Sequence, residues 1–487
     1  VISLENEGII STFARLMEAD ISLEIIEKLK ATRQINPQQA WLIGGFVRDQ
    51  LLGRPCKDLD IVVLGNGISF AQDFARVLGD NAQVVVFKNF GTAQVKFKDY
   101  EIEFVGARKE SYQRDSRKPI VEEGTLEDDQ RRRDFTINAL SISLNPEDAG
   151  TLYDPFEGLE DLKSKLIRTP LDPDTTFSDD PLRMMRAIRF ASQLNFQIAP
   201  DTLEGIARNK ERIHIISGER IAAELNKIIA SDIPSVGFNY LFDTGLLHLI
   251  FPEMTALYGV EWIDGRGHKD NFYHTLEVLD NVSKHSDNLW LRWAAILHDI
   301  AKPLTKKYYP KEGWTFHGHE DKGARMVKQI FRKLKLPLNE KMKYVEKLVF
   351  LHLRPIALTK EIVTDSAVRR LMVEAEDAIE DLLLLCQCDI TSKNEAKKKK
   401  YLNNLRLVRE KISQVGEKDR LRNWQPPVSG NDIVNSFAIN DPRMIGRIKN
   451  AIREAILDGT LNDDRNDALL FMYQIANELG MERKINS

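Results

Sequence analysis

Three cysteines in 487 residues, Cys56, Cys386 and Cys388, are too few for a disulfide framework. The spacing Cys386-x-Cys388 suits metal only with a second pair, and none exists, so these two read as an inert helical pair. No uninterrupted apolar run approaches the roughly 18 residues of a membrane span, and the first residues lack a charged-then-apolar leader pattern. An excess of one charge is missing too. Lys and Arg total 69 against 73 Asp and Glu, a net charge of −4, so any RNA contact must use local basic patches. There is no fixed-period repeat. These absences fit a reducing cytoplasm and no membrane. What remains, 43% hydrophobic residues, fills about three or four domains.

The most informative stretch is Trp41 to Val63, WLIGGFVRDQLLGRPCKDLDIVV. Trp41–Ile43 and Ile61–Val63 read as strands, and Phe46–Leu52 between them reads as a short helix. Gly44-Gly45 falls at the strand-to-helix junction, where a missing Cβ lets backbone approach a phosphate. Asp58 and Asp60 are two apart on a strand, so both carboxylates project from one face. Alone, Asp-x-Asp suits a solvated strand edge; beside Gly-Gly and Arg48-Asp49 it suits magnesium and a triphosphate.

Gln83–Phe87, Thr92–Phe97 and Glu101–Val105 are expected as further strands. Glu103 alternates with Ile102 and Phe104, and is either a third metal-directed carboxylate or a cross-strand salt-bridge partner. Ala107 to Gln130, with Arg114, Arg117, Lys118 and then Glu122, Glu123, Glu127, Asp128 and Asp129, is expected as a mobile loop. Next comes Arg131-Arg132-Arg133-Asp134-Phe135-Thr136-Ile137-Asn138, and later Asp179-Asp180-Pro181-Leu182-Arg183-Met184-Met185-Arg186. Asp180, Arg183 and Arg186 are spaced i, i+3, i+6 beside Pro181, expected at a helix N-terminus.

Together these motifs resemble the class II tRNA nucleotidyltransferase and bacterial poly(A) polymerase family, GG-x-V-R-D…L-L-G…D-x-D. The resemblance implies an α+β protein: a small mixed-sheet, polymerase-β-like head, then all-α neck, HD and tail domains. It implies Asp58 and Asp60 as catalytic ligands of Mg²⁺. Nucleotide contacts would come from Gly44, Gly45, Arg48, Asp49, Arg132, Arg133, Asp134, Asn138, Asp180, Arg183 and Arg186. Arginine suits that work because its planar fork pairs with phosphate bidentately.

In the family's nucleotide-reading motif, E-D-x-x-R, Asp179 stands here for the glutamate. An accepting aspartate and a donating arginine, Asp180 and Arg183, complement both C and A, each of which shows an amine donor beside a ring-nitrogen acceptor. Uracil and guanine reverse that pattern. Asp154-x-x-x-Gly158-x-x-Asp161-Leu162 resembles a head-to-neck hinge, and Glu219-Arg220…Glu224-Leu225 a further family motif otherwise readable as helix-stabilising pairing.

Seven of nine histidines lie between 268 and 352. His274, His298-Asp299, His319, His352 and Asp389 resemble the ligand set of the HD phosphohydrolase superfamily, with His317 an alternative to His319. One divalent transition metal ion, or a pair, is expected there. Lys397–Lys400 with Arg406, Arg409 and Lys411 is either a solvated helix face or an RNA-backbone contact. Gly430–Leu461 resembles the tail segment that holds tRNA in relatives.

The expected boundaries are a helical lead-in over 1–38, the head over 39–153, the neck over 154–262, the HD domain over 263–394 and the tail over 395–487. The expected function is addition of C, C and A to tRNA 3′ ends from CTP and ATP, with a phosphohydrolase activity in the HD domain. The 107–130 segment implies full C-C-A addition, since members limited to two C residues tend to lack it. Poly(A) polymerase, A-only addition, and an HD phosphohydrolase whose head merely binds RNA stay open. Against the first, Val63-Leu64-Gly65-Asn66-Gly67 stands where poly(A) polymerases carry an arginine-rich signature. The sequence does not set the oligomeric state.

Overall fold

The structure is a computed structural model that describes residues 21–88, 91–113, 116–358, 364–392, 394–419, 425–438 and 441–484. It divides into two compact units, Val1–Pro252 and Glu253–Ser487. Most of the helical lead-in, residues 1–20, lies outside the described residues; its end forms α1 (Ile21–Ile35), with Ile25 and Leu29 buried.

In the first unit the chain runs β1 (Ala40–Ile43), α2 (Gly45–Leu51), β2 (Asp58–Val63), α3 (Gly67–Leu78), β3 (Ala82–Phe87), β4 (Thr92–Phe97) and β5 (Tyr100–Gly106). A hairpin follows, β6 (Arg108–Gln113) and β7 (Ser116–Glu123), then α4 (Leu126–Arg131), β8 (Ser141–Ser143) and β9 (Leu152–Tyr153). Seven strands form one sheet in the order β3-β4-β5-β2-β1-β8-β9. Only β2 and β5 pair in parallel within it. Central β1 is buried at all four positions, as its unbroken apolar run requires. On α3 the apolar positions share one face, and Phe70 and Phe74 lie 5.8 and 5.4 Å from the Phe104 ring of β5. Each buried ring contributes about 2 kcal/mol of transfer free energy.

The segment 107–130 is not the irregular loop its polar composition suggests. In the β6–β7 hairpin, Arg108 pairs in register with Glu123 and Lys109 with Glu122. Opposite charges across a ladder stabilise a strand that has no apolar alternation to advertise it. Thr125 and Asp128 then form a reciprocal capping box that starts α4. Arg114 lies outside the described residues.

Helices complete this unit. The short parallel pair β10 (Leu166–Ile167) and β11 (Gln197–Ile198) brackets α5 (Pro173–Asp179) and α6 (Leu182–Leu194), and α7 (Gly218–Ile229) packs on α6. Asp180 does not lie on a helix. It ends α5 in an extended conformation, and its carboxylate accepts from Leu182 N at 3.1 Å at the start of α6.

The second unit contains two hairpins, β12 (Trp262–Ile263) with β13 (Arg266–Gly267), and β14 (Lys307–Tyr309) with β15 (Gly313–Thr315). Around them lie α8 (Asn271–Ser283), α9 (Leu289–Leu297), α10 (His319–Lys333), α11 (Glu340–Leu351), α12 (Asp365–Ala375) and α13 (Ile379–Asp389). Leu291–Leu297 of α9 is buried throughout, which an apolar helix at the centre of a bundle requires. The long α14 (Glu395–Asp419) packs on α12 and ties down part of its basic run: Arg409 pairs with Glu380 and Lys411 with Asp365. Helices α15 (Gly430–Ser436), α16 (Arg443–Leu457) and α17 (Arg465–Glu478) enclose a small core of their own, including Ile433, Ile452 and Met472.

Candidate functional sites

In the head, β1 ends at Ile43, opposite Asp60 on β2. The chain then turns through Gly44, whose φ of +81° is in the left-handed region. A Cβ at 44 would come within 2.8 Å of Arg133 Nη1 and 3.0 Å of Asp60 Oδ2, so glycine is required by both backbone and space. Asp58 and Asp60 share one face of β2, and the parallel register sets Glu103 of β5 beside Asp60. Partial burial raises the Asp60 carboxyl above its usual range; Arg133 opposes this, while Asp58 and Asp129 add to it. Glu103 is raised by desolvation and then by Asp60. Three carboxyls on one face of two neighbouring inner strands, with Asp60 repelling both others, fit a divalent cation.

Beside these carboxylates is a network of buried partners. Arg48 Nη1 donates to Asn138 Oδ1 at 2.7 Å, and its Nη2 meets Asp49 at 2.8 Å. Asn138 Nδ2 donates to Asp134 Oδ1 at 2.9 Å, and Arg186 of α6 donates to Asp134 Oδ2 from Nε at 2.7 Å. Burial works against charge on Asp134, but Arg186, the Asn138 amide and Arg183 override it and hold the carboxyl at about 2. Phe190 lies under three guanidinium groups, those of Arg48, Arg186 and Arg189, at 4.9, 5.5 and 4.0 Å from its centroid.

Sequence reasoning missed Asp129. Fully buried on α4, it holds Arg132 through Nε at 2.9 Å and Arg133 at 3.2 Å. The helical spacing i, i+3, i+4 was the available signal. Arg189 and Glu224 were also missed as partners: they pair at 2.7 Å between α6 and α7, and burial pulls Arg189 down to about 10. Glu224 and Arg220 therefore do not stabilise α7 by pairing with each other, since Arg220 reaches Asp180 at 3.5 Å. Arg183 Nη2 donates to the Arg132 carbonyl, so both expected base-reading side chains already have protein partners.

In the second unit, helix ends bring the histidines together. His298 and Asp299 follow α9, His319 opens α10, His352 follows α11, Asp389 closes α13, and His274 lies on α8. His274 Nε2 is 2.9 Å from Asp389 Oδ1, and His298 Nε2 is 3.2 Å from Asp299 Oδ2. His319 Nε2 is 3.2 Å from Asp299 Oδ1 and 3.3 Å from His352 Nε2. Two triads result: His274, His298 and Asp389, and Asp299, His319 and His352, with ligand atoms within 4.8 Å in each. Asp299 presents one oxygen toward each. His319 lies in the second of these triads, whereas His317 is exposed and outside both.

Nδ1 of His298, His319 and His352 lies 2.7 Å from the carbonyls of Ala295, Phe316 and Val349 respectively. Donation there leaves each Nε2 lone pair facing the centre, the tautomer a metal ligand needs. His298 Nε2 is buried without a well-formed hydrogen bond, an orphan that a metal would satisfy. Burial disfavours charge on His298, yet without a metal Asp299 and Asp389 push its imidazole up and favour a proton on Nε2, the position a bound cation would take instead. His352 goes the other way, down to about 4, through burial and then the His298 charge. Two lysines escaped the sequence reading: Lys302 Nζ donates to Asp299 at 2.5 Å and Lys269 Nζ lies 2.9 Å from His274 Nδ1. Cys386 and Cys388 are buried on α13 and belong to neither triad.

This sheet face with its carboxylates, and this helical nest of histidines, define a nucleotidyltransferase joined to an HD metal-centre domain. The chain matches family models described as poly A polymerase head domain over 40–168, probable RNA and SrmB-binding site of polymerase A over 195–258, and HD domain over 271–394. It belongs to the class II tRNA nucleotidyltransferase and poly(A) polymerase family. It is 32% identical over 391 residues to the multifunctional CCA protein of Nitrosococcus oceani, covering 76% of this chain and 89% of that one. An A-adding tRNA nucleotidyltransferase of Aquifex aeolicus is 49% identical over 164 residues, 34% of this chain and 19% of that one. In fold it resembles the Thermotoga maritima CCA-adding enzyme complexed with tRNA, with TM-score 0.59, 21% identity, and 96% and 98% of the two chains covered. Among the described residues no helix is long and apolar enough to cross a membrane.

Proposed function

We propose that this chain adds C, C and A to the 3′ end of tRNA, using CTP and ATP with no nucleic-acid template, in the cytoplasm. The observation that carries this reading is Asp58 and Asp60 side by side on β2, with Glu103 next to Asp60 and Gly44 pressed against both Asp60 and Arg133. Mg²⁺ held by Asp58 and Asp60, with Glu103 adjacent, would supply the charge that eases ionisation of the 3′-hydroxyl and neutralises the triphosphate. The tRNA 3′-oxygen forms a bond to the α-phosphorus, the α–β phosphoanhydride bond breaks, and pyrophosphate leaves. Gly44, Gly45 and the α2 backbone take the triphosphate. Arg48, Asp49, Arg132, Arg133, Asp134 and Asn138 hold the phosphates and ribose in register. To read a base, Arg183 gives up the Arg132 carbonyl for the ring nitrogen of C or A, while Asp180 accepts from the exocyclic amine. Arg186 keeps α6 fixed on Asp134.

The HD centre reads as a phosphohydrolase loaded with a divalent transition metal on His274, His298, Asp299, His319, His352 and Asp389. Metal bound there would make hydroxide available near neutral pH. Water and a phosphomonoester then give an alcohol and inorganic phosphate. The domain bounds that fit are a lead-in over 1–38, head over 39–153, neck over 154–262, HD over 263–394 and tail over 395–487.

Extension of a tRNA transcript ending at its discriminator base tests this directly. Two C residues with CTP, one A on adding ATP, then arrest, is the expected result. A-only addition is the second reading, favoured by the identity to the Aquifex relative. A single A added only to a transcript ending in C-C would establish it, and a long A tail would establish poly(A) polymerase instead.

A further inference from the structure

Except for Tyr401, every strongly exposed aromatic ring among the described residues of the second unit lies between 258 and 309: Tyr258, Trp262, Tyr273 and Tyr309. The chain here forms the β12–β13 and β14–β15 hairpins, whose two- and three-residue strands could not persist alone in water. They hold each other. Trp314 Nε1 donates to the Arg266 carbonyl at 3.0 Å, Arg266 Nη1 to the Pro310 carbonyl at 3.2 Å, and the Tyr308 hydroxyl to Asp264 at 3.1 Å.

Both hairpins lead into the metal ligands. β14–β15 lies between Asp299 and His319 in the chain, and β12–β13 shortly precedes His274. Phe316, whose carbonyl orients His319, has the Lys302 ammonium 5.5 Å from its ring centroid and the His268 ring at 5.8 Å. His268 is 5.4 Å from Trp314, and the Lys306 ammonium sits 4.5 Å from the Trp314 centroid. Trp262 ends this row. A Cβ on Gly267 would meet three of its ring atoms at 2.9–3.0 Å, so the indole lies on the Gly267 backbone, while the residue is 70% exposed.

We propose that the paired hairpins are a base-stacking platform for a single-stranded RNA end whose terminal phosphate enters the histidine–aspartate centre, with Trp262 as the outer stacking residue. This rests on the phosphohydrolase reading of that centre. Lys302 and Lys306 are paired with Asp299 and Glu261, but Lys307 and Lys311 are exposed at the β14–β15 hairpin. Exposed ring faces beside such ammonium groups match unpaired bases joined by phosphates, since every base has a π-face and every linkage an anionic oxygen. A protein partner would be met by an interface core depleted of charge.

The test compares a short RNA ending in a 3′-phosphate with p-nitrophenyl phosphate, which has neither base nor backbone, using the 487-residue chain supplied with Mn²⁺. Trp262→Ala is expected to lower the ratio of the two kcat/KM values roughly tenfold, through KM for the RNA, and Trp262→Phe to restore most of it. A 4-thiouridine next to the RNA terminus gives a readout independent of turnover: its photocrosslink should map to the two hairpins and fade in Trp262→Ala. If neither phosphate is hydrolysed, the phosphohydrolase reading fails and the crosslink alone decides the platform. An unchanged ratio, or crosslinks confined to other segments, would overturn the proposal. So would a Trp262→Ala variant whose sole defect is lost self-association in sedimentation, which would assign the surface to a second copy.

Discussion

Arg186 meets Asp134 twice on one carboxylate oxygen, from Nε at 2.7 Å and from Nη2 at 2.6 Å. The pair joins α6, which carries Arg183, the proposed base reader, to the segment that orients Arg48 through Asn138. Arg186→Ala should leave a buried carboxylate without its counter-charge and cost on the order of 3–5 kcal/mol of stability. Chemical denaturation measures that loss, and nucleotide addition should fall with it. Arg186→Lys retains the charge but not the two-pronged geometry, so it should recover stability better than rate.

The same pair sets an acid limit. Asp134 has its carboxyl at about 2 in the folded protein against 3.8 as a free side chain. A depressed carboxyl stabilises the fold above its unfolded pKa and loses that contribution as pH falls toward the folded value. The contribution is about 2 kcal/mol, lost between about pH 4 and pH 2. The difference in stability between wild type and Asp134→Asn, followed by urea titration at several pH values, should shrink through that window.

Arg183 and Asp180 are each held by protein partners, the Arg132 carbonyl and the α6 backbone with Arg220. Removing one partner of the reading pair should damage discrimination more than turnover. Arg183→Ala is expected to reduce the preference for CTP over UTP by roughly tenfold or more, since a lost specific hydrogen bond is worth about 1–3 kcal/mol. Competition between the two triphosphates on one transcript measures the ratio.

Asp58→Ala should abolish nucleotide addition while the 487-residue chain still hydrolyses p-nitrophenyl phosphate. Chelation followed by gel filtration should remove the HD activity, and readdition of a divalent transition metal should restore it. His319→Ala takes one ligand from the triad with Asp299 and His352, so bound metal per chain should fall. Equal metal content in His319→Ala and wild type would rule out His319 as a ligand.

Gly44 offers a steric test. With φ at +81° and Arg133 Nη1 within 2.8 Å of any Cβ, Gly44→Ala should displace Arg133 from Asp60. A rise in KM for CTP of roughly tenfold is expected, together with about 1–3 kcal/mol lost in stability from the strained backbone.

Much of this protein was set by local sequence. The β1–α2–β2 unit follows from the apolar runs around Gly44-Gly45, and the period of a strand puts Asp58 and Asp60 on one face regardless of what surrounds it. The proposed metal-ligand set was nearly legible as well, because all six positions lie on or beside helices. Chain distance hid the rest. Whether Glu103 joins the aspartates depended on β5 lying parallel to β2, which no local pattern specifies. His319 over His317, Asp129 beneath two arginines, and Glu224 paired with Arg189 instead of Arg220 were all decided by packing between elements. The 107–130 segment was hidden for another reason: its hairpin is a backbone ladder that sets charged residues opposite one another, which leaves no hydrophobic period to read. Sequence determines which side chains a strand or helix presents together; only the fold decides which of those faces meet, because contact energy is gained between elements that the chain separates by tens of residues.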